Sequence, residues 1–491
     1  MADNDDPVVE NPTWFGQIRD FFTPTDISHM QAKGIDLSVY DVVASGCWDI
    51  YGQTSSGSMP PPPLPQWSAN KNQTFFNWAN QGCPKGTPAP AAAAEAMFMA
   101  RAAAPRIRKD VRDLTGPEIA TLTKAFEGIM ARDPAEADSY FTIAGYHWFP
   151  AIYVNPRFHC LHHENRFLAW HRIHLMRFED ALRSVPDCAD VTLPYWDITS
   201  LNVPDLFSQP PFDKYVAQAP VSPKYDPLTT SRSDPATIIA EFEASNIVEA
   251  TRQALRNAKW EDFNKAYWGV HDNGHNSIGP TMRNQDIASF DPIFWFFHCN
   301  LDRVWLEWQI GLQATTLSGF KSTCTGSTVW LDNPQVGALM PFAETAADAV
   351  VLSEVAYLAP RREVKAVDFV NRAGAIRAGA KFRIDSTAPL SVRVKDIDRT
   401  AIPGTFVVHL LADGEEIARQ AFFQPTDPES CVNCSQNAEV PIDFLVPADQ
   451  ILDKDLSIEI HVPDHAEIGT RFPMSKVGSP TINVRHLLEG D

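Results

Sequence analysis

Between about residues 140 and 345, apolar side chains recur at helical spacing. Phe167, Trp170, His171, His174, Leu175, Phe178 and Leu182 follow the i, i+3, i+4, i+7 pattern, and so do Phe294, Phe297, His298, Leu301, Trp305 and Trp308. Each run predicts a helix with a buried face. The intervening 200–236 stretch is broken by Pro204, Pro210, Pro211, Pro220, Pro223, Pro227 and Pro235 and reads as loop. After about residue 365 the period changes to two. Segments 381–385, 390–395, 405–411 and 456–462 alternate apolar and polar residues or run β-branched, with turn residues between them. They predict an antiparallel β-sandwich of about 125 residues.

The first 135 residues show neither period cleanly. Segment 58–66 is proline-rich and must be extended or loop, whereas 91–104 is alanine-rich and favours helix. The expected organisation is therefore mainly α. N-terminal segments over 1–135 wrap a helical-bundle domain with long loops over 136–360, and a β-rich domain follows over 366–491.

The chain has 491 residues, 44% of them hydrophobic, enough to build a large core without metal or disulfide staples. Its net charge of −20 disfavours nucleic acid and anionic membrane surfaces as partners. No segment approaches the ~20 uninterrupted apolar residues of a membrane-spanning helix. The stretch MADNDDPVVENPTWF lacks a basic start and an apolar run before a cleavage site, so the chain reads as cytoplasmic. A homo-oligomer is compatible with the sequence. The eight cysteines do not form a disulfide framework, and only Cys431 and Cys434 have a paired spacing. By itself that CxxC is as consistent with a turn holding two reduced thiols as with a metal or redox role.

Candidate chemistry lies in the histidines, nine of the 14 falling in 147–298. His271 and His275 stand at i, i+4, which places both rings on one helix face within reach of one metal. A lone pair of that kind is more often a helix surface or a buried polar pair. Asp272 also replaces the glutamate that a zinc-protease motif requires. His162 and His171, nine apart, would point to opposite faces of one helix. Glu164-Asn-Arg166 precedes the helix, so His162 belongs on a loop folded back over it. His298 lies on the apolar face of a helix that begins after Asp291-Pro292. Taken singly, each is more often a satisfied core histidine than a ligand.

Taken together they form longer motifs. The segment His159-Cys-Leu-His-His-Glu-Asn-Arg-Phe-Leu-Ala-Trp-His-Arg172 resembles the first copper motif of the tyrosinase, catechol oxidase and molluscan haemocyanin family. His271 to His275, followed by Asp291-Pro-Ile-Phe-Trp-Phe-Phe-His-Cys-Asn-Leu-Asp-Arg-Val-Trp305, resembles the second, and Leu193-Pro-Tyr-Trp-Asp197 resembles a segment between them. The likeness is close over about 140–310 and loose over the β-rich tail. It implies a binuclear copper domain in which His147, His162 and His171 hold the first copper and His271, His275 and His298 the second. His147 is assigned mainly as the available upstream histidine. Imidazole serves both Cu(I) and Cu(II), and three ligands per ion leave room for dioxygen. Each ligand should donate its other N–H to a backbone carbonyl or to Glu164, Asp291 or Asp302.

The resemblance also implies a copper-dependent phenol oxidase that hydroxylates monophenols at the ortho position and oxidises o-diphenols to o-quinones. Its cofactors are two copper ions, its co-substrate dioxygen and its partner a small phenol. A catechol oxidase without monophenolase activity and a haemocyanin-like oxygen-binding protein share the same ligands. Cys160, two residues before His162, would form a thioether with that ring. Asp272 stands where monophenol hydroxylases often have asparagine, and with Asp262 or Glu261 it would orient a water that deprotonates the phenol. Gln285 falls at the gate position that many plant catechol oxidases fill with phenylalanine. Phe297 replaces a second histidine found in many relatives. The C-terminal domain would act as a lid, with Phe422 or Phe423 over the coppers, and Cys431 and Cys434 would assist copper delivery.

Overall fold

The computed structural model describes residues 8–23, 26–27, 30, 35–59, 66–86, 106–147, 161–221, 225–352, 354–358, 389–463 and 471–486. The alanine-rich 91–104, the 381–385 strand and Cys160 lie outside them. The chain divides into two compact units, Met1–Pro105 and Arg106–Asp491.

The first unit holds α1 (Tyr40–Ser45), α2 (Cys47–Ser55) and α3 (Ala69–Asn80). Ser68 caps α3 by accepting from the Lys71 N–H. Trp14, Ile18, Phe22, Phe75 and Trp78 are buried together in a core of this unit's own. The wrapping segments expected over 1–135 thus divide at residue 105, because 106–135 packs into the central core. There, β1 (Arg106–Arg108) pairs in parallel with β2 (Val355–Tyr357). α4 (Gly116–Met130) starts at a Thr115–Glu118 capping box and buries Leu122, Phe126 and Ile129.

The central core surrounds α5 (Tyr140–Gly145), α6 (Phe167–Arg183), α7 (Pro235–Ala244), α8 (Ile247–Arg256), α9 (Trp260–Ile278) and α10 (Ile293–Gly311). α6 and α10 follow the predicted apolar stripes, but they are enclosed nearly all round, so polar residues in them need internal partners. Arg172 on α6 finds Asp302 (Nε–Oδ1 2.5 Å) and Gln309 (2.9 Å) on α10, and lies 3.7 Å over the Trp305 ring. α9 and α10 approach closely at Gly274. A Cβ there would sit 2.4 Å from Phe297 Cζ, so Phe297 at the expected extra-histidine position fills the groove that glycine leaves.

The C-terminal region forms two antiparallel sheets. β3 (Pro389–Asp398) lies between β6 (Glu439–Pro447) and β9 (Gly478–His486); β4 (Phe406–Ala412) lies between β5 (Glu415–Phe422) and β7 (Leu456–His461), and β8 (Arg471–Phe472) extends that sheet. Val392, Val394, Phe406, Val408, Leu410 and Phe444 from both sheets share one apolar core. The expected 390–395, 405–411 and 456–462 strands fall within β3, β4 and β7 to within a residue. These sheets belong to the same compact unit as the helices, and β5 packs on α9. Among the described residues, no helix is long and apolar enough to cross a membrane.

Candidate metal centre

Four elements bring six histidines together. His147 follows α5, His162 lies in the turns before α6, His171 projects from the second turn of α6, His271 and His275 from α9, and His298 from α10. The rings of His147, His162 and His171 offer nitrogen atoms within 4.8 Å of one another, as do those of His171, His271 and His298. His275 joins the second group through its Nε2, 3.0 Å from His298 Nε2. His171 and His298 stack, with ring centroids 4.5 Å apart. All six are buried.

Hydrogen bonds fix which nitrogen faces inward in three of the rings. His171 Nδ1 donates to the Phe167 carbonyl (2.8 Å), His275 Nδ1 to the Met282 carbonyl (2.7 Å) and His271 Nδ1 to Asp272 Oδ1 (2.7 Å). A ring that donates through Nδ1 presents an Nε2 lone pair. Nε2 of His171 and of His271 is buried without a hydrogen-bond partner. Buried polar atoms are normally satisfied, so these lone pairs turned toward common points mark places for cations. Burial, followed by repulsion from neighbouring imidazoles, holds His147, His162, His271 and His298 well below the ordinary histidine range. Burial likewise pushes His171 well down, and takes His275 to about 3. The rings are therefore neutral at pH 7. Six neutral nitrogen donors fit two copper ions and do not suit a hard, oxygen-seeking cation.

The expected backbone carbonyls serve as acceptors, at Phe167 and Met282, but the three expected carboxylates do not. Glu164 pairs with Arg166 (2.7 Å) and Asp291 with Arg232 (2.6 Å). Asp302 accepts from Arg172 and from the Tyr357 hydroxyl (2.5 Å). None of the three bonds a ligand ring in the structure; each is a buried or half-buried acid drawn to a nearby arginine instead. The acceptor role falls to two carbonyls and to Asp272. His174, one turn after His171, donates to the Ile143 carbonyl (2.8 Å) and is a satisfied core histidine.

Asp272 has no free oxygen in this arrangement. Oδ1 bonds His271, and Oδ2 accepts from His163 Nε2 (2.8 Å) and the Phe423 backbone N–H (3.1 Å). Burial raises its pKa, with His163 opposing. Asp262 is exposed in the first turn of α9, ten residues and roughly 15 Å of helix from Asp272. It is not brought to the cluster. Glu261 instead accepts from the Thr325 and Gly326 amides (2.9 Å each). Gln285 is buried, and its backbone lies against His147.

The alternative between Phe422 and Phe423 is resolved by strand alternation, since adjacent β residues face opposite sides. Phe422 turns into the β-domain core, 5.2 Å from Phe406. Phe423 turns the other way and is fully buried over the histidines: it stacks on His275 at 4.0 Å, with His162 at 5.2 Å and His271 at 5.4 Å. Cys431 and Cys434 form a disulfide packed into the central core, and Asn433 between them donates to the His162 carbonyl (2.8 Å). The residue that sequence reasoning passed over is His163, which bonds Asp272 from the position beside His162.

Comparison with known proteins agrees with this geometry. The model of the common central domain of tyrosinase matches residues 137–220 and 207–310. Haemocyanin 2 of Megathura crenulata is 29% identical over 244 residues, a match covering 44% of this chain and 7% of the haemocyanin. The tyrosinase-like protein of Pinctada maxima is 28% identical over 233 residues, covering 40% and 49% of the two chains. The chain thus spans a small part of the haemocyanin and about half of the Pinctada protein. Among solved structures, the tyrosinase of Burkholderia thailandensis at low pH superposes with a TM-score of 0.59 at 19% identity, over 77% of this chain and 100% of that one. An octopus haemocyanin functional unit gives 0.55 at 20% identity, over 78% and 100%. These last two likenesses concern the fold alone.

Proposed function

Because the chain belongs to the type 3 copper family of tyrosinases and haemocyanins, we propose that it is a copper-dependent phenol oxidase. It takes small phenols, hydroxylates monophenols at the ortho position and oxidises o-diphenols to o-quinones, with dioxygen reduced to water. Two coppers would be held by His147, His162 and His171 and by His271, His275 and His298. When bound, they supply dioxygen binding and accept the substrate's electrons.

The observation that carries the reading is the Phe423 ring. A phenyl group lies parallel to His275, 17° between planes, directly above the cluster. The space it fills is therefore the size and orientation of a phenol stacked on a ligand imidazole. Phe423 sits there only while β5 is docked on α9, so the β-domain acts as a lid and substrate enters when that ring leaves. Asp272 keeps His271 turned inward, and the Phe167 and Met282 carbonyls do the same for His171 and His275. Burial of the six rings beneath Phe423 would keep water from the metal centre. Gln285, whose backbone lies against His147, would serve as the polar gate on the side of the first copper.

A second reading is favoured by Asp272. Both of its oxygens are engaged and Asp262 is remote, so neither of these two carboxylates stands ready to orient a water toward a monophenol; that favours a catechol oxidase. An o-diphenol needs less help, because two catechols deliver the four electrons and four protons that turn one dioxygen into two waters. Oxygen uptake by the copper-loaded, lid-opened protein tests both readings. Uptake with tyrosine and catechol fits the first, and uptake with catechol alone fits the second. Silence with both, accompanied by a reversible dioxygen-dependent near-ultraviolet band, would instead identify an oxygen carrier.

A further inference from the structure

His163 occupies an unusual position. Its backbone is left-handed, at φ 57°, a conformation that is strained for a non-glycine residue and persists only where the surroundings impose it. The twist lets neighbouring side chains diverge: His162 points into the metal cluster and His163 toward the β-domain. The His163 ring stacks on Phe422 at 4.2 Å, edges against Trp268 at 5.5 Å and is approached at Nδ1 by Arg399 Nη1 at 3.4 Å. Its Nε2 bonds Asp272 Oδ2, and the other oxygen of that carboxylate holds His271.

Phe422 and Arg399 both come from the β-domain, and so does the Phe423 N–H that shares Asp272 Oδ2. Arg399 is 1% exposed and lies 5.1 Å over the Phe422 ring. Its Nε is buried without a hydrogen-bond partner. A guanidinium in such a place is tolerated when an opposite charge is near, and the charge that acts on it is Asp272. One carboxylate therefore faces the metal ligand on one side and three groups that depend on the seated β-domain on the other.

Resting on the copper reading above, we propose that His163 is a positioning residue that couples the seating of the β-domain to the orientation of ligand His271 through Asp272. Lid docking and copper binding are then linked equilibria. By reciprocity, whatever factor docking adds to copper affinity, copper adds to docking. A carboxylate that orients a ligand histidine typically changes metal affinity by roughly 10–100-fold when disturbed.

The test uses the full-length chain with copper as the only added ligand. His163→Phe keeps a ring to stack on Phe422 but cannot bond Asp272, whereas His163→Asn retains a donor and tolerates the left-handed backbone. Copper affinity is measured by competition with a chelator of known strength, and docking by amide hydrogen exchange of the peptide containing Phe423. For the wild type, two coppers per chain should bind and should slow exchange at Phe423. For His163→Phe, affinity should fall roughly 10–100-fold and the copper-dependent slowing should vanish; His163→Asn should restore both toward wild type. Arg399→Gln, which alters no ligand and no neighbour of one in sequence, should weaken copper binding several-fold and speed the same exchange. Wild-type copper affinity in both His163→Phe and Arg399→Gln, with the slowing intact, overturns the coupling. Failure of the wild type to bind two coppers overturns the copper reading itself, which keeps the two failures distinct.

Discussion

Truncating Phe423 to alanine separates the lid reading from a purely structural one. The ring is fully buried against His275, His162 and His271, and on the lid reading it loses that burial when the β-domain opens. Removing a phenylalanine side chain from water is worth roughly 1.5–3 kcal/mol, so the docked state should lose about that much relative to the open one. At about 1.4 kcal/mol per factor of ten, the open fraction rises roughly 10–150-fold. The rest of the seam survives the substitution. The Ala421 N–H still donates to Asn273 Oδ1 (2.8 Å), Thr405 to the Arg283 carbonyl (2.7 Å) and Lys265 to Asp443 (2.8 Å). The variant should therefore keep its fold and gain access to the site. Oxygen uptake with catechol, recorded on copper-loaded protein without any activation step, should increase by a factor within that range. After proteolytic removal of the β-domain, wild type and variant should converge on one rate. If the untreated variant matches untreated wild type while removal of the domain raises both, Phe423 is packing and not a plug. If removal changes neither, the β-domain is not a lid.

Other substitutions probe the frame and the ligands. Gly274→Ala gains up to about 1 kcal/mol of helix propensity, yet its Cβ would meet Phe297 Cζ at 2.4 Å; overpacking should win, with a net loss of ~1–3 kcal/mol in denaturant unfolding. Asp302→Asn leaves the Arg172 guanidinium, 3% exposed, without its charge partner; breaking such a pair should cost ~3–5 kcal/mol, and unchanged unfolding would show that Gln309 and Trp305 suffice. The metal-free chain should lose stability as pH falls from about 6.5 toward 3. Its buried histidines have lowered pKa values, His275 to about 3, so the unfolded chain takes up protons that the folded one refuses. Unfolding midpoints that stay flat between pH 7 and 4 would refute that assignment, and copper should shift the midpoint upward at every pH where the rings bind it.

How far the sequence could be read depended on whether a feature was local. Helical spacing on α6 and α10 and strand alternation after residue 389 reflect periods of the backbone itself, and the structure carries them at the expected places. The five histidines assigned by motif belong to the same class, because i, i+4 spacing and the loop before α6 decide where the rings can point. Partnerships between distant segments were not legible. Glu164, Asp291 and Asp302 each sit near a ligand in sequence, which made them reasonable acceptors, but arginines reach them first: Glu164 is taken locally by Arg166, whereas Arg232 lies 59 residues from Asp291 and Arg172 lies 130 residues from Asp302. Strand parity could have chosen Phe423 over Phe422 only once the register of β5 was known, since a shift of one residue exchanges the two faces. His163 could not be found by periodicity at all. Its side chain points away from the neighbouring ligand because of a positive φ, a backbone state that the residue type does not announce. The consequence falls on Asp272. The family resemblance implied that it orients a water that deprotonates the phenol, whereas the fold surrounds it with His271, His163 and the Phe423 N–H. A carboxylate with every oxygen committed holds groups in position, and it can serve a substrate only after one of those partners leaves. On the proposed lid reading, the partner that leaves is the Phe423 N–H.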